Sequence, residues 1–186
     1  MIGAYRIEAY AIASADGMIA DASGVQPASL ELDADRRHFE NGLDHVDAVA
    51  HGRRSHEGQP NSAGRRRLIV TRRVAGVAPD PLNPKARLWN PAGASFEAAC
   101  GALGLSSGTV AVIGGPRVYT LFLKLGYDLF RLTRAVKVRL PGGLPVFARE
   151  IFGGDPEAAL AAAGLKAGPT EWLDDQVTLT DWRRPQ

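Results

Sequence analysis

Between Thr109 and Leu123 the chain reads TVAVIGGPRVYTLFL, and this stretch limits the fold more than any other. Val110, Ala111, Val112 and Ile113 form a short apolar run rich in β-branched residues, the signature of a strand buried on both faces. Gly114 and Gly115 then permit a sharp turn, because a residue without Cβ takes dihedrals closed to others. Pro116 suits the first position of a helix, where its missing N–H removes nothing. Val118, Leu121, Phe122 and Leu125 recur at helical spacing and give that helix one apolar face. Strand, glycine turn and helix N-terminus make an α/β unit whose helix end offers N–H donors and a positive dipole to an anion. The spacing is neither G-x-G-x-x-G nor the G-K-[ST] phosphate loop, so on spacing alone a plain tight connection explains it as well.

The rest of the chain reads as one domain with a full-sized core, from 186 residues and a hydrophobic content of 45%. Tyr5 to Ile12 alternates as an opening strand, Asp16-Gly17 breaks it, and Met18, Ile19 and Ala20 follow as a short apolar segment before a loose region to Ser29. Asp33 reads as the N-cap of a helix running to about Leu43, with Gly42 marking its end. Val46 to His51 is the next predicted strand, ended by Gly52, and Ser55 is placed to cap a further helix. Leu68 to Thr71 is a third buried strand. Val77 to Pro91, carrying Pro79, Pro81, Pro84 and Pro91, reads mostly as connection with a short strand at Ala86 to Trp89. Ser95 caps a helix through Leu103, closed by Gly104. Leu129 to Leu140 alternates like a strand, Pro156 to Ala163 is an alanine-rich helix, and Gln176 to Trp182 is a terminal strand expected antiparallel at the sheet edge.

Several functions are disfavoured by composition. With 22 basic and 20 acidic residues the net charge is +2, so nothing global calls for nucleic acid or an anionic membrane. Arg65, Arg66 and Arg67 are too few for a basic arm, lack interleaved aromatics, and read as the solvated start of a strand. Cys100 is the single cysteine, and His38, His45, His51 and His56 show no metal-binding spacing, so no metal site is expected. Ser55 beside His56 is not a nucleophile arrangement, and no G-x-S-x-G elbow exists. The first residues lack the layout of a signal peptide, and no apolar run approaches about 18 residues. The expectation is a cytoplasmic protein acting on a small molecule.

The segment Val112 to Tyr119, with Phe122 and Leu123 after it, resembles the corresponding part of dihydrofolate reductase and of the riboflavin-biosynthesis reductase domains. Ser14 to Ala20 resembles the S-x-D-G-x-I-A opening of the riboflavin-type branch, and Gly52 to Ser55 resembles a G-R-x-T corner with serine for threonine. Asp128 with Leu129 and Leu132, and the turn Pro141 to Phe147, are similar too. The resemblance spans about Tyr5 to Phe147. It implies a three-layer α/β fold with a mixed, mostly parallel central sheet and helices on both faces, and an NADPH-dependent reductase.

The same resemblance assigns roles. Ile113, Gly114 and Gly115 would lie against NADPH, with Pro116, Arg117 and Val118 at the helix start that receives the pyrophosphate and Tyr119 near the nicotinamide. Ile12, Ile19 and Ala20 would border the cofactor, and Asp16 the substrate. Gly52, Arg53, Arg54 and Ser55 would hold phosphates, while Thr71, Arg72 and Arg73 would read the 2′-phosphate, favouring NADPH over NADH. Asp35 stands four residues before Phe39, a spacing at which dihydrofolate reductase binds its pterin and assists protonation, so Asp35 is a candidate for catalysis and substrate binding. A surface acid favoured by the helix dipole explains Asp35 equally. Two substrates compete: a ribosylated pyrimidine, as in 5-amino-6-(5-phosphoribosylamino)uracil reductase, and a dihydropterin. No deaminase segment with zinc ligands is read ahead of the reductase. A non-catalytic NADP(H)-binding protein is the alternative of another class. Riboflavin-type relatives often pair, so a homodimer is among the expectations.

Overall fold

At the middle of the molecule lies β7 (Gly108–Val112), whose Val110, Ala111 and Val112 are wholly buried. The structure, a computed structural model, describes residues 2–55, 58 and 61–185. Parallel to β7 run β1 (Tyr5–Ser14) on one side and β3 (Ala48–Gly52) on the other. Beyond β1 come parallel β8 (Leu129–Ala135), then antiparallel β11 (Val177–Arg183) and β10 (Lys166–Trp172). Beyond β3 come parallel β4 (Arg67–Val70) and β6 (Asn83–Trp89), then antiparallel β5 (Val77–Asp80). The order is β10-β11-β8-β1-β7-β3-β4-β6-β5, and β2 (Met18–Ala20) pairs separately with β9 (Leu144–Pro145). The mixed, mostly parallel α/β architecture is the one expected.

Helices cover both faces because the central strands alternate two apolar sides. Ile7, Ala9, Val110 and Val112 meet α2 (Phe96–Ala102), α3 (Pro116–Leu125) and α4 (Pro156–Ala162) in the larger core. On the other side Tyr10, Val49 and Ala111 receive Leu43 and Phe39 of α1 (Asp33–Leu43). Aromatic rings tie the larger core together edge to face: Phe96 and Phe122 meet at 5.5 Å and 88°, Tyr127 and Phe130 at 5.1 Å and 90°. Ser95 caps α2 as expected, its hydroxyl accepting from Ala98 N–H. Among the described residues no helix is long and apolar enough to cross a membrane.

Other expectations are corrected. Val77 to Pro91 is a hairpin of β5 and β6 rather than mainly connection, since an outermost strand tolerates proline. The chain's last strand is not the edge; β10 lies outside it, nearly all exposed and carrying Pro169, with a register shift between Ala167 and Thr170. A matching shift falls at Pro79 on β5. β8 ends at Ala135, short of Leu140. Leu32, not Asp33, is the N-cap of α1, and the Asp33 carboxylate instead pairs with Arg36. On α3 Val118 and Phe122 are buried as expected, but Leu125 is 41% exposed and Tyr119 is buried in addition. Arg65 and Arg67 are not solvated: Arg65 donates to Asp44 and to Leu43 O, and Arg67 is 7% exposed and donates to Ser62 O. The helix expected after Ser55 falls largely on residues 56–57 and 59–60, which lie outside the described residues.

Gly42 sits inside α1 rather than at its end. A Cβ there would stand 2.3 Å from Tyr10 Cε1, and the Tyr10 ring is itself buried beneath Phe39. Alanine ordinarily gains about 1 kcal/mol over glycine inside a helix. Here Gly42→Ala should instead destabilise the protein by about 1–3 kcal/mol through overpacking. Urea unfolding checks the sign.

Candidate active site

Main chain approaches main chain where β3 and β7 end. Gly52 N–H donates to Gly114 O at 2.9 Å, and Ile113 N–H to Ala50 O at 3.0 Å. Gly114 has φ +107°, and a Cβ on it would stand 3.2 Å from Tyr119 Cε2. One on Gly115 would stand 3.1 Å from Ser55 Oγ, and the peptide between the two glycines is cis. Pro116 opens α3, and its N-cap, Gly115, has no side chain to offer the first turn. A bare backbone wall at a helix N-terminus results, chemically suited to an anion.

From this wall a cavity of about 840 Å³ runs to α1. Ile12, Ile19 and Ala20 line one part of it, Arg54 and Ser55 another, and Asp35 and Phe39 the far side. Tyr119 joins the walls, since its hydroxyl donates to Tyr10 O across the sheet. Burial, and then the charge of Asp35, push that phenol well above its usual range.

Among the described residues that line the cavity, Asp35 is an acid that the fold holds against its preference for water. Its Oδ1 accepts a hydrogen bond from the Thr133 hydroxyl, which also lies 3.1 Å from Ala11 O. Burial pushes the carboxyl up from 3.8 to about 6, and the hydrogen bond only partly offsets this. Such an acid exchanges a proton near neutral pH, as general acid–base chemistry requires.

Of the residues singled out in the sequence, the cavity brings together Ile12, Ile19, Ala20, Asp35, Arg54, Ser55, Ile113, Gly114, Gly115, Pro116 and Tyr119. Asp16 is elsewhere engaged. Burial alone would raise its carboxyl, but hydrogen bonds from Ser14 Oγ at 2.6 Å and Leu140 N–H at 3.0 Å outweigh that and hold it below the usual range. It clasps the turn before β9 and does not line the cavity. Val118 is a core residue, and Arg117 is exposed outside the cavity. Gly52, the last residue of β3, and Arg53 after it do not line the cavity. Thr71 is buried, with its Oγ accepting from Arg73 N–H at 3.2 Å, and Arg72 and Arg73 are exposed. They follow β4, whose Val70 is paired with Gly52, so they stand one strand over from the cavity mouth.

Sequence reasoning missed Thr133, Arg131 and His38, all of which line the cavity. The signal was present for the first two. Arg131 and Thr133 alternate with apolar Phe130 and Leu132, which puts two polar side chains on one face of an interior strand.

This chain has the dihydrofolate-reductase-like fold. A protein assigned to riboflavin biosynthesis in Shewanella sp. PV-4 superposes with a TM-score of 0.67 over 97% of this chain and 99% of its own, at 19% identity. A diaminohydroxyphosphoribosylaminopyrimidine deaminase/5-amino-6-(5-phosphoribosylamino)uracil reductase from Thermotoga maritima gives 0.66 at 17% identity, over 98% of this chain and only 57% of that one. Dihydrofolate reductase from Enterococcus faecalis, in complex with NADP(H), gives 0.59 at 12% identity over 97% of each chain. No family model and no curated protein matches the sequence.

The Asp35 pKa predicts a pH-dependent stability. Since the folded value of about 6 exceeds the ordinary 3.8, folding is unpenalised below about pH 4 and loses stability as pH rises toward 6. Asp35→Asn should therefore be near neutral at pH 4 and stabilising by up to about 3 kcal/mol at pH 8. Urea titrations at both pH values test this, and a difference that does not change with pH would disprove the raised pKa.

Proposed function

We propose that the protein is an NADPH-dependent reductase that transfers a hydride to a C=N or C=O carbon of a small nitrogen heterocycle, in the first instance a ribosylated pyrimidine of the 5-amino-6-(5-phosphoribosylamino)uracil type. One observation carries this reading: a single cavity joins the bare Gly114–Gly115 wall to the buried acid Asp35. The glycine wall fits a dinucleotide, because a Cβ at either position would press on Tyr119 or Ser55 and fill the cradle. Two of the similar structures described above are named as reductases, and the chemistry proposed here rests on this chain's own residues.

When bound, NADPH supplies the hydride. Gly114, Gly115 and the start of α3 receive its pyrophosphate with Arg53, Arg54 and Ser55, and Arg72 and Arg73 meet the 2′-phosphate. Ile12, Ile19, Ala20 and Ile113 exclude water from the reacting ring. Asp35, fixed by Thr133, binds a ring nitrogen and holds the proton that completes the reduction. Asp35 together with Phe39 on the same wall supports a second substrate reading, a dihydropterin. A homodimer is part of the proposal.

Two measurements test it. NADPH should raise the melting temperature more than NADH at equal concentration, and replacing Arg72 and Arg73 by alanine should erase that difference. NADPH oxidation with a panel of ribosylaminopyrimidines and dihydropterins should show turnover with one class, with kcat/KM falling above about pH 6 as Asp35 loses its proton. Asp35→Asn should lower kcat/KM by about 10²-fold or more. Tight NADPH binding without turnover on any member would leave a binding protein and end the enzyme reading.

A further inference from the structure

The inner end of the cavity, past Asp35, holds a guanidinium that the reading above leaves without a task. Arg131 stands two residues before Thr133 on β8, so both side chains leave the sheet on the same face, roughly 7 Å apart along the strand. His38, nearly one turn after Asp35 on α1, lines the same recess. Tyr10 forms its floor, with Arg131 Cζ 5.2 Å from the ring centroid.

The ties of Arg131 to the protein are weak. Its nearest carboxylate oxygen is Glu8 Oε2 at 3.8 Å, but Glu8 already accepts from Arg6 Nε at 2.7 Å and from the Tyr10 hydroxyl at 3.1 Å. Asp181 lies opposite on β11 and accepts at Oδ2 from Arg183 at 2.6 Å, while its Oδ1 is buried without a hydrogen-bond partner among the described residues. Arg131 Nε is likewise buried without a partner among the described residues, yet 25% of the side chain stays exposed. Glu8 with Arg6 and Asp181 with Arg183 cancel in pairs, and burial followed by the Arg131 charge keeps His38 toward its neutral form. Arg131 thus keeps a weakly paired positive charge in the wall of a half-enclosed cavity. Asp35 does not absorb it, because a guanidinium in contact would hold that carboxyl down rather than let it rise.

A partly desolvated guanidinium with unspent donors binds a carboxylate or phosphate by charge-assisted, often forked hydrogen bonds. We propose that Arg131 anchors an oxyanion of the substrate, a carboxylate or a phosphate ester, carried beyond the nitrogen that faces Asp35. The assignment rests on the reductase reading of the cavity and names the residue that holds the anionic group of its substrate, which that reading leaves open.

Two matched pairs of probes separate the sources: orotate against uracil for a carboxylate, and ribose 5-phosphate against ribose for a phosphate ester. Each is titrated calorimetrically into the full chain with and without saturating NADPH. Failure of NADPH to bind would sink the reductase reading alone, because the probe pairs are still compared on the cofactor-free chain. In at least one pair the anion should bind tenfold or more tighter than its neutral partner. Arg131→Gln should cut that advantage below twofold, and Arg131→Lys, which keeps the charge but not the fork, should shrink it at least threefold. Should the glutamine variant not fold, the lysine variant decides by the same criterion. No anion advantage in either pair, or an advantage unchanged by substitution, overturns the proposal.

Discussion

The close approach of two strand ends, Gly52 N–H on Gly114 O at 2.9 Å, is the constraint on which the site depends. It draws the turn after β7 against β3, and the turn in turn sets where α3 begins. Because Gly114 backs onto Tyr119 and Gly115 onto Ser55, side chains are kept away from the helix end by packing as much as by sequence. The cavity wall is therefore peptide rather than side chain, which suits a ligand that must lie flat and close.

The opposite wall is built on a different principle. Asp35 is lowered onto Thr133 by α1, whose own seat is the ring of Tyr10 and the side chains of Val49 and Ala111. Tyr10 serves both walls: its carbonyl accepts from Tyr119 of α3, and its ring carries α1 and Arg131. Small displacements of β1 would thus be felt at the glycine wall and at the acid together. The fold tolerates the cost of a partly desolvated carboxyl here, as functional sites commonly do.

What could be read in the sequence was whatever had a local cause. The β7–turn–α3 unit, the Ser95 cap and the alternation of β1 each follow from neighbouring residues and recur in the structure. Elements stabilised from a distance were harder to see. β10, with Gly168 and Pro169 and almost no buried side chain, is a strand only because β11 supplies its partner groups. The hairpin of β5 and β6 hid behind its prolines for the same reason. Arg65 and Arg67 looked solvated because Asp44, Leu43 O and Ser62 O come from other parts of the chain. In the site, glycine and apolar positions were legible from resemblance, whereas Arg131 and His38 needed the packing of α1 over β8 before they stood together. Asp16 stands outside the cavity because its carboxylate is engaged by Leu140, far along the chain.

The outermost strands share one further property. β5 carries Pro79 and β10 carries Pro169, and each has its register displaced at that point. A proline removes a donor that an incoming strand would need, and a displaced register breaks the even spacing of the remaining ones. Both margins of the nine-stranded sheet are in this way poor templates for strand addition. The protein thereby carries its own protection against edge-to-edge aggregation, written into the strands that contribute least to its core.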